Sequence, residues 1–159
     1  MVRDLQDLGF RLTVWVHPFF NADANSFYES AINSMLVRHY DSPAPAITPW
    51  WDGLMTGLLD VSNQSAAQWY LGKLRNLMNK YNISSFKFDA SETSWMPHIY
   101  SMANMTKNHA DAYPTKWVQL AAEPTRPFTK RFESVTELSV TLSAFDLWTK
   151  IQTGVTTTR

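Results

Sequence analysis

A chain of 159 residues with 14 Lys and Arg against 14 Asp and Glu, the signs interleaved, is long enough for one core. It carries neither a basic patch for nucleic acid nor a polybasic stretch for a membrane surface. With no cysteine, a disulfide framework and a thiolate metal site are excluded, and no apolar run approaches the ~20 residues of a membrane span.

In chain order, Val2, Leu5 and Leu8 among Arg3, Asp4 and Asp7 read as the end of an amphipathic helix over 2–8, stopped by Gly9. Arg11 to Phe20 follows, with Leu12, Val14, Trp15 and Val16 nearly continuous, as in a parallel strand covered on both faces; His17-Pro18 ends it. Residues 21–30 form a loop, and 27–37 is weakly helical. The proline-rich stretch from Asp41 to Pro49 is expected to be extended without regular structure. It leads through Trp50-Trp51-Asp52-Gly53 to a short parallel strand, 57–60, ending at Asp60.

From Ser65 to Tyr81 the spacing predicts a helix, with Ala67, Tyr70, Leu71, Leu74, Leu77, Met78 and Tyr81 on one face. Ser65-Ala66-Ala67-Gln68 is a capping-box pattern at its start. A strand over 84–89 then completes a βαβ unit and ends in Asp89-Ala90-Ser91-Glu92. Thr115 to Glu123 reads as a helix with Trp117, Leu120 and Ala121 inward, broken at Pro124. Val135 to Phe145 alternates like a strand up to Asp146.

Strands that end in ionisable side chains are how parallel α/β enzymes present their chemistry at one mouth, so His17, Asp60, Asp89 and Asp146 are expected to converge. The plainer alternatives are that Asp89 and Asp60 cap the helices after them and that His17 is hydrogen-bonded structure. Four His (17, 39, 98 and 109) lack metal-ligand spacing, and no metal or cofactor is expected. No phosphate loop, His-Glu-x-x-His or Gly-x-Ser-x-Gly is present.

The stretch Phe86-Lys87-Phe88-Asp89-Ala90-Ser91-Glu92 resembles the nucleophile motif Phe-Lys-x-Asp-x-Gly-Glu of glycoside hydrolase family 31, in the branch that includes the myogenesis-regulating glycosidases. The resemblance begins at Leu8-Gly9-Phe10-Arg11 and Trp15-Val16-His17-Pro18-Phe19. It continues through Trp50-Trp51-Asp52-Gly53 and Leu59-Asp60 to Ala122-Glu123-Pro124. It implies an α/β fold, a partial TIM (β/α)8 barrel with parallel strands, in which 1–124 is part of the catalytic barrel and 125–159 diverges. It also implies an O-glycosyl hydrolase of α-linked sugars that works with retention.

Residue by residue, the resemblance makes Asp89 the nucleophile and puts Trp50, Trp51, Asp60, His17, Lys87 and Glu92 in contact with sugar or with the nucleophile. Glu92 is expected to orient the site through hydrogen bonds, and Ser91 replaces the family's Gly. Asp146 stands where the acid/base aspartate is expected, but the family's Asp-Ser-x-Trp-Gly signature does not follow it, and no substrate-binding arginine precedes it. The rival reading is therefore a non-catalytic carbohydrate-binding or regulatory fragment.

The partner implied is a carbohydrate. Nucleic acid and a membrane segment are not expected, and the sequence leaves oligomeric state open. Three sequons, Asn63-Gln64-Ser65, Asn82-Ile83-Ser84 and Asn104-Met105-Thr106, fit a secretory-pathway lumen or the cell exterior for a longer parent.

Overall fold

The computed structural model of the chain describes residues 2–105, 112–125 and 139–143. Helix α1 (Val2–Asp7) ends as its sequence requires. Gly9 takes a left-handed φ of 85°, its N–H donates to Gln6 O (2.9 Å), and Phe10 N–H reaches back to Leu5 O (3.0 Å). That turn feeds β1 (Arg11–Val16), which pairs in parallel with β5 (Ser85–Phe88) on one side and β6 (Ser139–Ser143) on the other. The described residues thus form a parallel sheet of order β5-β1-β6 and not a closed barrel.

On β1 the burial alternates. Leu12, Val14 and Val16 are buried, whereas Thr13 and Trp15 are only half-buried. The expectation of two covered faces is corrected here, because the described strands do not curl round to enclose the second face. Thr13 Oγ1 and Ser85 Oγ lie 2.6 Å apart across the pair, so Thr13, Trp15 and His17 share one face with Ser85, Lys87 and Asp89.

Between β1 and β5 lies a second, antiparallel sheet of order β2-β4-β3, from β2 (Phe19–Asn21), β3 (Ile47–Trp50) and β4 (Gly53–Leu58). The parallel strand expected at 57–60 is therefore wrong. The turn at Trp51-Asp52 folds β4 back on β3, and a short hairpin closes at less entropic cost than a long crossover. Residues 47–50, expected to be irregular, form β3. Its Pro49 falls where the register shifts between Thr48 and Trp50, a point that needs no N–H donor. At Gly57 an added Cβ would come within 2.6 Å of Leu36 Cδ1 and 3.0 Å of Phe27 Cε2, so a larger residue there would require these side chains to shift. The weak helix expected over 27–37 is α2 (Asn25–Ile32). Ser34, with φ 53°, turns the chain so that Val37 N–H donates to Leu58 O (2.8 Å).

The parallel crossover is β1 to β5, and its last element is α3 (Gln64–Tyr81). Asn63 caps this helix, its Oδ1 accepting from Ser65 N (3.0 Å) and Ala66 N (3.4 Å), so the Ser65 capping box is not used. Ala66, Tyr70, Leu71, Leu74, Leu77 and Met78 are buried, while Ala67 and Tyr81 only flank the core. Helix α4 (Ala112–Thr125) packs on α3 and β5, with the Trp117 ring 5.5 Å from Tyr70 and 4.9 Å from Phe88. Trp117 and Leu120 are inward as expected, whereas Ala121 is half-buried. The helix runs through Pro124 to Thr125.

Candidate active site

Because β1 and β5 are parallel, His17 and Asp89 follow them at the same end of the sheet. Asp89 N–H still donates to Val16 O (3.0 Å), which fixes its backbone against β1. Its side chain is then gripped from three directions. Trp15 Nε1 donates to Oδ2 at 2.8 Å, Ala90 N–H to Oδ1 at 2.9 Å, and Lys87 Nζ lies 3.2 Å from Oδ2. The Trp15 N–H foremost holds the carboxyl below its ordinary range; burial opposes it next in size, and the Ala90 N–H and Lys87 add to the lowering. Asp89 is therefore ionised at neutral pH. Ala90 adopts φ 58°, a left-handed conformation that costs a non-glycine residue about 1 kcal/mol and ends the extended path of β5.

Beside this carboxylate stands an aromatic wall. The His17 ring lies 4.3 Å from Trp50 and 4.9 Å from Trp15, and Trp51 lies 5.4 Å from Trp15 and 5.2 Å from Trp50. Trp50 is buried at 4% exposure and stacked on Phe19 at 4.7 Å, so it is the packed base of the wall. Trp51, by contrast, is 63% exposed.

His17 Nδ1 accepts from Phe19 N–H (3.3 Å), a bond that requires the neutral ring, and burial pushes its pKa down to about 4 despite the nearby Asp89 charge. This sets a pH dependence. The unfolded chain protonates His17 near 6.5 and the folded chain only near 4, so the unfolded state binds more protons in that window. Stability should fall as pH drops from about 6.5 towards 4, by roughly 3 kcal/mol at most. Denaturant midpoints of wild type and His17→Gln measured between pH 7 and 5 check it: the variant should show the shallower slope, and parallel slopes would refute it.

The other expected site residues divide. Lys87 joins Asp89, as described. Asp60, 2% exposed, is engaged elsewhere: Oδ1 accepts from Ser62 N (3.0 Å) and Ser62 Oγ (2.6 Å), and Oδ2 from Ala103 N (2.7 Å). It fastens the turn before α3 to the 101–105 segment, and it neither caps α3 nor ends a parallel strand. Glu92 is exposed at the start of the 3-10 turn Thr93–Trp95 and makes no side-chain hydrogen bond among the described residues, so the expected orienting bonds are not formed. Asp146 and His109 lie outside the described residues, and β6 stops at Ser143. Among the described residues no group of three His, Cys, Asp or Glu is placed to hold a metal ion.

Trp15 is the site residue that sequence reading passed over as core. The signal was the period of two: Trp15 precedes His17 by two positions, as Lys87 precedes Asp89, which puts all four on one face.

The family model for the Glycosyl hydrolases family 31 TIM-barrel domain matches residues 1–148. The chain belongs to glycoside hydrolase family 31. This family 31 chain is 38% identical over 128 residues to the Myogenesis-regulating glycosidase of Mus musculus, covering 80% of the chain and 17% of that protein. It is 26% identical over 88 residues to an alpha-xylosidase of Emericella nidulans, covering 55% of the chain and 11% of that protein. It thus spans less than a fifth of the length of these curated relatives.

Among solved structures, a family 31 dextranase of Flavobacterium johnsoniae complexed with glucose superposes with a TM-score of 0.68 at 18% identity, over 90% of this chain and 18% of the other. A family 31 sulfoquinovosidase of E. rectale with an aza-sugar inhibitor gives 0.71 at 14% identity, over 90% and 21%. These likenesses support the fold: the family 31 chain is a partial α/β barrel with a parallel sheet.

Proposed function

We propose that the protein is a retaining O-glycosyl hydrolase of α-linked sugars, with Asp89 as nucleophile. The observation that carries this reading is the ionised strand-end carboxylate, held by Trp15 and Ala90 N–H groups and Lys87, with the Trp15 ring itself 5.4 Å from that of the exposed Trp51. A nucleophilic carboxylate must be charged, aimed and only partly desolvated, and Asp89 meets each condition. Trp51 offers the flat apolar face that the C–H-rich side of a pyranose needs, with Trp50 and His17 backing it. Lys87 steadies the carboxylate. Asp60 and Glu92 act on the substrate only indirectly in this reading, and Asp146 is assigned the acid/base role. The relatives named as an alpha-xylosidase and a dextranase agree with an α-linked carbohydrate as substrate. The chemistry needs no metal or cofactor.

In the first half-reaction Asp89 Oδ attacks the anomeric carbon through an oxocarbenium-like transition state as the leaving oxygen is protonated. In the second, water releases the sugar. A 5-fluoro α-glycosyl fluoride isolates the first half-reaction, since fluoride leaves without protonation and the ester then hydrolyses slowly. A panel of such reagents should add one fluorosugar to Asp89, located by peptide mass spectrometry. Label on Glu92 or Asp60 instead would overturn the assignment.

A sequence observation favours the second reading, a sugar-binding protein without turnover: the family's Asp-Ser-x-Trp-Gly signature does not follow Asp146, the residue assigned the acid/base role. Quenching of Trp fluorescence by sugar, with no labelling from any reagent, would establish that reading.

A further inference from the structure

Independently of the reaction, the three sequons meet different fates in the fold. Asn63 is half-buried and fully used: Oδ1 caps α3, and Nδ2 donates to Ser34 O at 3.2 Å. Asn104 is exposed, yet its Nδ2 donates to Ser62 O at 2.9 Å and its backbone N–H to Ser62 Oγ at 3.0 Å, tying it to the turn that Asp60 holds. A sugar on either Nδ2 would replace one of its two hydrogens and wedge a pyranose into a junction between segments.

Asn82 differs in each respect. It is exposed, stands in the left-handed position after α3 (φ 51°), and its side-chain amide makes no hydrogen bond among the described residues. Its backbone is pinned instead. Gln6 Nε2 donates to both Tyr81 O and Asn82 O at 2.9 Å, and Ser84 N–H donates to Leu12 O at 2.9 Å. Ile83 between them is buried, which anchors the segment and leaves the amide at the surface. The site also lies at the entry end of β5, roughly 20 Å along the chain from Asp89 at the exit end, so a large substituent would not cover the mouth.

We propose that Asn82 is an N-glycosylation site of the folded protein and that Asn63 and Asn104 are not. The donor is a lipid-pyrophosphate-linked oligosaccharide. Asn82 Nδ2 forms a bond to the anomeric carbon and loses one proton, while the carbon–oxygen bond to the pyrophosphate breaks and the lipid pyrophosphate leaves. Ser84 supplies the hydroxyl that the transferase reads.

The test is expression of the chain through the secretory pathway of mammalian cells, recovery of the protease-resistant folded fraction, and release of glycans with PNGase F in 18O water. That reaction converts a glycosylated Asn to 18O-labelled Asp. Label is expected at position 82 alone. Ser84→Ala should abolish it by removing the hydroxyl of the sequon while sparing the fold, since that hydroxyl makes no hydrogen bond among the described residues, and Asn82→Gly, which keeps the left-handed backbone, should do the same. Ser65→Ala and Thr106→Ala should leave it intact. A folded fraction unlabelled at 82, or labelled at 63 or 104, overturns the proposal.

Discussion

Asp89→Asn is expected to lower turnover of an aryl α-glycoside at least about a thousandfold, equivalent to roughly 4 kcal/mol of lost transition-state stabilisation. The reason is charge rather than shape. An amide oxygen attacks an anomeric carbon poorly, and the substitution removes the negative charge from the attacking group. The fold should survive, because the carboxylate is 41% exposed and its backbone bond to Val16 is untouched. A small penalty is nonetheless expected. Trp15 N–H, Ala90 N–H and Lys87 all approach the side chain as donors, whereas Asn has one oxygen and an NH2. One donor must therefore face another, at a cost on the order of 1 kcal/mol. Steady-state kinetics and a melting curve on the same preparation separate the two effects. Unchanged turnover would remove Asp89 from the chemistry, while lost turnover together with lost folding would indicate a structural role.

Leu74→Ala should be the most damaging of the simple core truncations on α3, costing about 2–5 kcal/mol through the buried area lost and the cavity left. Leu74 is 3% exposed, in the middle of the face that carries Tyr70, Leu71, Leu77 and Met78. Arg75, one residue on, is exposed and should tolerate Ala at roughly 0.5 kcal/mol or less. Because a domain's whole stability is about 5–15 kcal/mol, the first change approaches a third of it and should be plain in a denaturant midpoint. Equal shifts for the two variants would show that the helix is docked through another face.

The parts of this architecture that could be read from the sequence are those whose signals are local. Gly9 forces its turn, the 3.6-residue spacing of Tyr70 to Met78 fixes a buried face, and an apolar run within 11–16 and the alternating stretch 85–88 mark the two parallel strands. What could not be read depended on pairing partners. The stretch around Leu58 looks the same whether it joins a parallel or an antiparallel sheet, and only the fold-back at Trp51-Asp52 decides between them. Asp60 went astray for the same reason: its strand belongs to the other sheet, so its carboxylate meets Ser62 and Ala103. Asn63 outcompetes Ser65 as the cap because its side chain reaches two free N–H groups from two positions earlier. Trp15 was hidden by its own hydrophobicity, since nothing in a run of apolar residues marks the indole whose N–H turns to a carboxylate.

The place taken by β6 has a consequence for assembly. In a barrel wound in sequence order, each strand is flanked by the one before it and the one after it. Here β5 is the follower of β1, but the opposite flank of β1 is occupied by a segment from far downstream, running the same way, with Arg11 to Trp15 in register with Ser139 to Ser143. Any other strand that took that flank in a wound barrel would have to displace β6, because the row of backbone donors and acceptors can be held by only one strand at a time. Whichever wins decides whether that flank is a seam along which a cylinder grows or a hem that finishes the sheet.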